Sequence, residues 1–560
     1  MSHTWGIDLG TTNSCISRLL DGVPTAVAID GSVIVPSVVL YGEQGVVVGR
    51  QARNLELSSP ERCVRSVKRR MGRGPSYEIA GTTHTAEEVS AEILIALKRG
   101  AEHTTGLPVR DVVITVPAYF DDAQRRATLR AGELAGLQVL RLLNEPTSAA
   151  LLYDQLGQST DVQADPSEIV LIYDLGGGTF DVSVLEVASG VREVRATAGN
   201  TQLGGDDFDE LLYRRFVDEL KHSRAVDVFD VQADPRTRAK LRRLAEDTKI
   251  ALSTQLEHVA REEFLAVDAS GAPVHLALTV TRRELQDALR PMLQSTIELA
   301  RRALDDARLG EQRLSRICLV GGSTRMPLVR QLLAESFDVD IHDEIDADLA
   351  VALGASVQAG LLAGEAVDRI LVDVAAHSLG VLVVGDEDDG FSEPDTFAPV
   401  LRRNTVLPAE KREEFYTMVD QQERLKVDVY QGESRRCSDN RLVGSFDFAL
   451  EPKLQNSPVA VVFAYDLDGV VRVTVTQPGT NNRKTVQLRL SDASSGLDSA
   501  VLRKARKLLA DLEGEPHAAL MQLMAAYEQA DTNAREAAEE ALLDFFVELD
   551  DLEPDATDEA

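Results

Sequence analysis

The stretches WGIDLGTTNSCISRLL (5–20) and IVLIYDLGGGTFDVSVLEV (169–187) are two versions of one pattern. Each runs an apolar strand into Asp-Leu-Gly, turns on glycine and threonine, and leaves on a second alternating strand. Recurrence in successive halves of one region suggests a duplicated fold whose two turns face a common ligand. Glycine lets the backbone adopt positive φ and approach a bulky anion, so consecutive N–H groups can aim into one concavity. Threonine and serine hydroxyls add donors. Asp8 and Asp174, at the ends of their strands, suit a magnesium ion held through its waters, because magnesium dehydrates reluctantly. Two such turns closing from opposite sides would grip a polyphosphate. Either turn alone could be no more than a tight hairpin. The pair, joined by LGGDDFD (203–209) and LVGGSTRMP (319–327), argues for a site. Neither G-x-x-x-x-G-K-[ST] nor G-x-G-x-x-G occurs, which sets aside a P-loop enzyme and a plain dinucleotide binder.

Around these turns, up to about Glu365, short apolar strands alternate with amphipathic helices in an α/β pattern. DVVITVPAYF (111–120) reads as strand then turn, and helices are predicted over Asp122–Leu134, Pro235–Thr254 and Leu328–Phe337. From Ile370 the period changes to alternation: LKVDVY (425–430), VAVVFAY (459–465), VVRVTV (470–475) and TVQLRL (485–490) carry β-branched residues in strand patterns. DLDG (466–469) is a hairpin signal. After SSGL (494–497) the chain reads as helix to about Asp551, and EPDATDEA at the end is too polar to bury anything.

At 560 residues the chain needs more than one core. Its 91 acidic and 59 basic residues give a net charge of −32, which repels nucleic acid and anionic lipid. Cys15, Cys63, Cys318 and Cys437 are scattered without a Cys-x-x-Cys pair, so neither a disulfide framework nor a zinc site is expected. No apolar run reaches membrane-spanning length, and the strand-like WGIDLG starts too early to leave room for a signal peptide. The expected location is cytoplasmic.

GIDLGTTNS, VPAYFDDAQRRAT, LLNEPTSAA, YDLGGGTFDVS, LGGDDFD and LVGGSTRMP, in that order, resemble the seventy-kilodalton heat-shock chaperone family of DnaK type. The resemblance runs to about residue 500. MGRGPSYEIAGTTHTAEE (71–88), YTM (416–418), and QGES (431–434) with SFDF (445–448) look closest to its HscC-type branch. The resemblance implies a duplicated actin-like (ribonuclease-H-like) ATPase domain at 1–366 and an apolar linker at 367–373. A β-sandwich substrate domain at 374–490, a short helical lid at 491–552 and an acidic tail at 553–560 would follow.

It also implies residue roles. Gly10, Thr11, Thr12 and Asn13 of the first turn, with Gly176, Gly177, Gly178 and Thr179 of the second, would hold the phosphates of ATP or ADP. Lys68 would position the attacking water and stabilise charge on the γ-phosphate, with Glu145, Asp174 and Asp181 around the magnesium ion and that water. Potassium would be an optional further ion. Gly204, Gly205, Gly321 and Gly322 would complete the nucleotide cradle. Glu246, Lys249 and Ser253 share one helix face by their spacing; the resemblance puts them at the ribose and adenine, with Arg325 across the base and Asp348 nearby. By spacing alone, Glu246 and Lys249 would be an ordinary surface pair.

Pro117 and Arg125 would relay the nucleotide state to the linker, Arg141 would meet a J-domain cochaperone, and Asp373 would be its linker partner. RILVD (369–373) is unusually apolar for a linker, which suggests docking in one state and release in another. Val381, Val383, Val384, Phe415, Met418, Leu425 and Val427 would line a channel for an extended apolar peptide, with Met418 and Val384 arching over it; ordinary core roles are as consistent for Phe415 and Val427. The helical end is short for a lid, and GDEDDGFSEPDTF (385–397) is an acidic insertion beside the channel. The implied function is an ATP-driven chaperone for client polypeptides, acting as a monomer, with the exchange factor left open. A small-metabolite kinase and an actin-type filament protein are the alternatives on the same fold.

Overall fold

In the computed structural model, the described residues are 3–73, 76–156, 168–188, 191–224, 234–267, 272–310, 313–342, 346–365, 370–386, 392–466, 471–488, 515–529 and 545. The chain divides into two compact bodies: residues 1–443 with 447–488, and residues 444–446 with 489–560.

The larger body begins with β1 (Thr4–Leu9), β2 (Asn13–Leu20), β3 (Val23–Ala26) and β4 (Val35–Pro36). A small sheet follows, made of β5 (Val39–Gly42), β6 (Gly45–Val48) and β7 (Cys63–Val64), with α1 (Arg50–Leu55) between the last two. The hairpin β8 (Tyr77–Ile79) and β9 (Thr82–His84) leads into α2 (Ala86–Thr105), which Thr85 and Glu88 open as a capping box. Then come β10 (Asp111–Val116), α3 (Asp122–Leu134), β11 (Gln138–Asn144) and α4 (Glu145–Leu156). The sheet order is β11-β10-β1-β2-β3, with β4 on β2. Trp5, Ile7 and Leu9 are all buried, as a strand covered on one side by helices requires.

The second lobe repeats the plan. It holds β12 (Glu168–Leu175), β13 (Phe180–Ala188), β14 (Val191–Asn200), α5 (Gly205–Arg224) and α6 (Pro235–Thr254). The hairpin β15 (Glu257–Val267) and β16 (Pro273–Thr281), α7 (Arg282–Asp306), β17 (Arg316–Val320), α8 (Pro327–Ser336), β18 (Asp340–His342) and α9 (Ala350–Leu362) complete it. Its sheet runs β18-β17-β12-β13-β14 and ends on β19 (Ile370–Val372). The duplication shows in the register. β1 pairs antiparallel with β2 and parallel with β10; β12 does the same with β13 and β17. Asp8 faces Cys15 across the first hairpin, and Asp174 faces Asp181 across the second.

α9 ties the lobes together because glycine permits a close approach. A Cβ on Gly354 would lie 1.8 Å from the Ser148 carbonyl oxygen of α4, and one on Gly6 would lie 2.2 Å from the Ser356 nitrogen. Both are impossible contacts, so the helix can sit against β1 and α4 only with no side chain at either position.

Two four-stranded sheets form the sandwich. One has the order β21-β20-β23-β24, with β20 (Leu379–Asp386), β21 (Ser392–Leu401), β23 (Arg424–Gln431) and β24 (Arg441–Ala449). The other runs β22-β25-β26-β27, with β22 (Ala409–Tyr416), β25 (Pro458–Tyr465), β26 (Val471–Thr476) and β27 (Arg483–Gln487). Val429, Val443, Val461, Phe463 and Val473 are buried between them, and burying each such side chain contributes roughly 1.5–3 kcal/mol. TVQLRL is shorter as a strand than its pattern suggests, since β27 ends at Gln487.

The sequence separates lobes and sandwich at 367–373, but in the structure they pack as one body. The linker explains this. β19 is no free tether; it pairs parallel with β14, Ile370 opposite Val191 and Val372 opposite Glu193. The smaller body contributes α10 (Glu515–Gln529), with Leu520 buried. Arg369, the centre of the acidic insertion, most of the DLDG turn, most of the expected lid and the tail at 553–560 lie outside the described residues.

Candidate nucleotide site

A cavity of about 540 Å³ opens between the lobes. Its walls are Gly10, Thr11, Thr12 and Asn13 from the first turn, Gly176, Gly177 and Thr179 from the second, and Gly321, Gly322 and Arg325 from the turn after β17. Glu246, Lys249 and Ser253 line one end from α6, with Asp348 beside them, and Asp8, Lys68, Glu145 and Asp174 form the floor. Eighteen expected site residues therefore border one space. Gly178, Asp181, Gly204 and Gly205 stand just behind it. The Gly205 N–H donates to the Gly176 carbonyl at 3.0 Å and the Asp206 N–H to that of Gly177 at 2.7 Å, which fastens the second turn to the start of α5. The two turns abut: a Cβ on Gly177 would fall 1.9 Å from Thr12 Oγ1.

The floor is a buried charge cluster. Lys68, only 4% exposed, donates to Glu145 in a short contact. Thr115 Oγ1 donates to Asp8 at 2.9 Å, and the Tyr119 N–H donates to Asp181 at 3.0 Å. Burial disfavours the Lys68 ammonium, yet Glu145, Asp8 and Asp174 outweigh it and raise its pKa. Burial, reinforced by Glu145 and opposed by Lys68, pushes Asp8 up to about 7. The same two pressures push Asp181 up to about 7, with the Tyr119 N–H working against them. Asp174 lies well above the carboxylate range through burial, Glu145, Asp181 and Asp8. Carboxylates crowded around one lysine are short of positive charge, so the donor set fits a further cation. Among the described residues no three His, Cys, Asp or Glu side chains converge to cage a bare ion. A magnesium ion that keeps its waters and leans on phosphate oxygens needs no such cage.

At the α6 end Glu246 is more heavily engaged than a ribose contact alone requires. Arg53 Nη2 reaches its Oε1 at 2.9 Å and Arg65 Nη2 its Oε2 at 2.6 Å, and Arg65 also meets Glu56 at 3.5 Å. Lys249 donates to the Gly205 carbonyl at 3.1 Å and pairs with Asp209 at 2.8 Å, while Arg325 pairs with Asp348 at 2.8 Å. No local pattern singles out Arg53 and Arg65, because their partner sits about 190 positions away.

Between the site and β19 the structure builds a chain of hydrogen bonds. Pro117 lies in the turn after β10, and its carbonyl accepts from the Phe120 N–H at 3.1 Å. Arg125 donates to the carbonyls of Phe120 and Ala118, both at 3.1 Å, and to Asn144 Oδ1 at 2.6 Å. Asn144 Nδ2 then donates to Asp373 at 2.9 Å, and Thr147 Oγ1 to the same carboxylate at 3.3 Å. Asn144 and Thr147 hold Asp373, while Arg141, its expected partner, lies on the neighbouring strand β11 with no bond to it among the described residues. Asn144 was hidden in LLNEPTSAA because Glu145 beside it drew the reading.

The seven expected peptide residues divide. Val381 and Val427 are buried in the sandwich, so they do not line an open channel in this conformation. Val383, Phe415 and Leu425 are half-buried, and Val384 and Met418 are 42% and 54% exposed.

Comparison with known proteins agrees with this geometry. The family described as Hsp70 protein matches residues 4–79 and 74–542. The chaperone proteins DnaK of Thermotoga petrophila, Thermotoga neapolitana and Thermotoga maritima are each 40% identical over 495 residues, which cover 86% of this chain and 79% of the relative. With its duplicated lobes, opposed glycine turns and matched length, the chain belongs to the Hsp70 protein family.

Proposed function

We propose that the chain is an ATP-dependent molecular chaperone that hydrolyses ATP to ADP and phosphate and thereby switches its hold on extended apolar segments of unfolded or client polypeptides. The observation that carries this is a cavity lined by two opposed glycine turns and joined, through Arg125, Asn144 and Asp373, to a strand that leads into a β-sandwich. A kinase has no need of that connection. The backbone N–H groups of the two turns, with Thr11, Thr12 and Thr179, take the phosphates. Lys68, steered by Glu145, positions the water and meets charge on the γ-phosphate; Asp181 is fixed by the Tyr119 N–H to keep that water aligned. Glu246, Lys249, Ser253, Arg325 and Asp348 seat the nucleoside. Such a site positions and neutralises more than it reacts. Asp8 and Asp174 would hold a magnesium ion through water, and that ion would supply positive charge toward the phosphates; the acidic floor would also suit potassium.

Val384 and Met418 present apolar surface at the sandwich for an extended peptide, the remaining channel residues becoming accessible when the sheets rearrange. Arg141 faces a J-domain cochaperone, an exchange factor is an open partner, and the chain acts as a monomer. The resemblance of 71–88, 416–418, 431–434 and 445–448 supports an HscC-type branch. Four free thiols, and no described helix long and apolar enough to cross a membrane, support a cytoplasmic location.

The test is single-turnover ATP hydrolysis with and without an excess of a short apolar peptide. Acceleration by peptide is expected. Phosphate transfer to a small acceptor, or ATP-driven polymers, would overturn the reading. The clamp on Glu246 makes a further prediction: Arg53→Ala combined with Arg65→Ala is expected to speed ADP release about tenfold, since two partly buried charge-assisted contacts at roughly 1.5–3 kcal/mol each hold the lobes together there and part of that is regained from water. Stopped-flow release of a fluorescent ADP measures it, and an unchanged rate would remove the clamp from the exit step.

A further inference from the structure

Arg441 opens β24 and reaches out of the sandwich to the first lobe. Its Nη1 makes a short contact with Asp121 Oδ2, and its Nη2 donates to the Gly72 carbonyl at 3.2 Å. Asp121 is the N-cap of α3, and Gly72 lies four residues after Lys68. A sandwich side chain therefore grips the segment that carries the expected reactive lysine. This route does not pass through the linker strand.

Residues 68–73 have little slack. Val67–Arg70 forms a single 3₁₀ turn, with Lys68 bound to Glu145. Arg69 Nε donates to the Gly178 carbonyl of the second phosphate turn at 3.1 Å. Met71 is fully buried, and the Ser90 hydroxyl donates to its Sδ at 3.3 Å. Gly72 rests on the first turn of α3 at φ +63°, where a Cβ would lie 2.6 Å from the Ala123 carbonyl carbon. A pull at Gly72 is therefore felt at Lys68 and Arg69. The Asp121 oxygen that meets Arg441 has a second cation within reach. Arg73 Nη2 lies 3.8 Å from it and donates to Thr201 Oγ1 of the second lobe at 3.4 Å. Two guanidinium groups, one from the sandwich and one from the segment itself, thus contend for one carboxylate oxygen, and their like charge keeps both from closing on it.

We propose that Arg441 is a positioning residue for hydrolysis: docked, it holds residues 68–73 through Gly72 and keeps Asp121 from Arg73; when the sandwich leaves, Arg73 closes on Asp121 and the segment shifts, Lys68 with it. This rests on the chaperone reading and names a second route of control over the same site. Asp121 keeps a cation in both arrangements, so one charge-assisted contact replaces another and the two lie close in free energy. The direction follows from the sandwich. Val381 and Val427 are buried while it is docked, so peptide reaches them only after it rearranges. Acceleration by peptide then makes the docked arrangement the slower one, and Arg441 acts as a brake.

The experiment uses the full chain and Arg441→Gln, which keeps a polar side chain but loses the charge and the fork. In single-turnover hydrolysis at saturating ATP, the rate without peptide should rise about fivefold in the variant. The rate with a short apolar peptide should stay close to wild type, so acceleration shrinks by the same factor. ATP affinity should hold within about twofold, which separates control of the rate from damage to the site. Adding Arg73→Ala should return much of the rise, because the replacing cation is gone. The Met71 and Arg73 amides donate to the carbonyls of Lys68 and Arg70, so their hydrogen exchange reads the segment directly. Peptide should quicken that exchange about fivefold in the wild type, and in Arg441→Gln it should be fast already. An unchanged peptide-free rate in the folded variant, a rise indifferent to Arg73, or wild-type exchange that peptide leaves unaltered would overturn the assignment; the last needs no variant. A wild-type hydrolysis rate that peptide does not change would instead overturn the chaperone reading.

Discussion

Lys68→Ala is expected to slow single-turnover ATP hydrolysis by about 10²–10³-fold while ATP still binds, the loss typical of removing one preorganised charge aimed at a transition state. Lys68 is buried, and its ammonium is fixed by Glu145 in a site that also contains Asp8, Asp174 and Asp181. A water-exposed lysine would spend part of the reaction reorienting; this one is already in place. Its removal also takes away the positive charge that offsets those carboxylates, which then move further toward their protonated forms. Rapid-quench measurement at saturating ATP separates the chemical step from binding. The phosphates are gripped mainly by the two glycine turns, so affinity should change less than rate. A rate within about threefold of wild type would remove Lys68 from the reaction.

Gly177→Val should have the opposite profile, with ATP affinity falling by about a hundredfold or more, or roughly 2.7 kcal/mol. A Cβ at that position would lie 1.9 Å from Thr12 Oγ1, and nearer still to overlap than any relaxed contact allows. Rotating the Thr12 hydroxyl away still leaves its Cβ at 3.0 Å, so the branched valine side chain pushes the facing turns apart. Overpacking of this kind costs about 1–3 kcal/mol in a closed core. Here it would also misdirect the N–H groups meant for the phosphates. Titration calorimetry with ADP gives the affinity, and thermal unfolding without nucleotide checks that the lobes remain folded. Unchanged affinity in a folded variant would mean that the turns do not form one cradle.

The two hairpins were legible because strand, Asp-Leu-Gly and glycine turn are local and occur twice. Periodicity located α3 and α6, and with α6 came the shared face of Glu246, Lys249 and Ser253. Contacts across long sequence separations were not legible. Arg65 meets Glu246 across 181 positions and Asn144 meets Asp373 across 229, and nothing in composition or spacing joins them. Burial was not legible for a related reason. Alternation in β20 and β23 says which side chains share a face, but the partner strands decide whether that face opens to solvent; for Val381 and Val427 it does not.

The pairing of β19 with β14 has a consequence for colloidal behaviour. Whenever the linker strand departs, β14 becomes the rim of its sheet, and the backbone groups of 191–193 are offered to any extended chain nearby. In a protein that handles unfolded polypeptides, such a rim would invite fibre-like stacking. The segment bared is Val191-Arg192-Glu193, followed by Val194 and Arg195, with Arg195 ion-paired to Glu193 at 2.9 Å. Charge of both signs along three β-residue steps penalises an intruding strand in either direction, whereas the protein's own linker, tethered a few residues away, returns at high effective concentration.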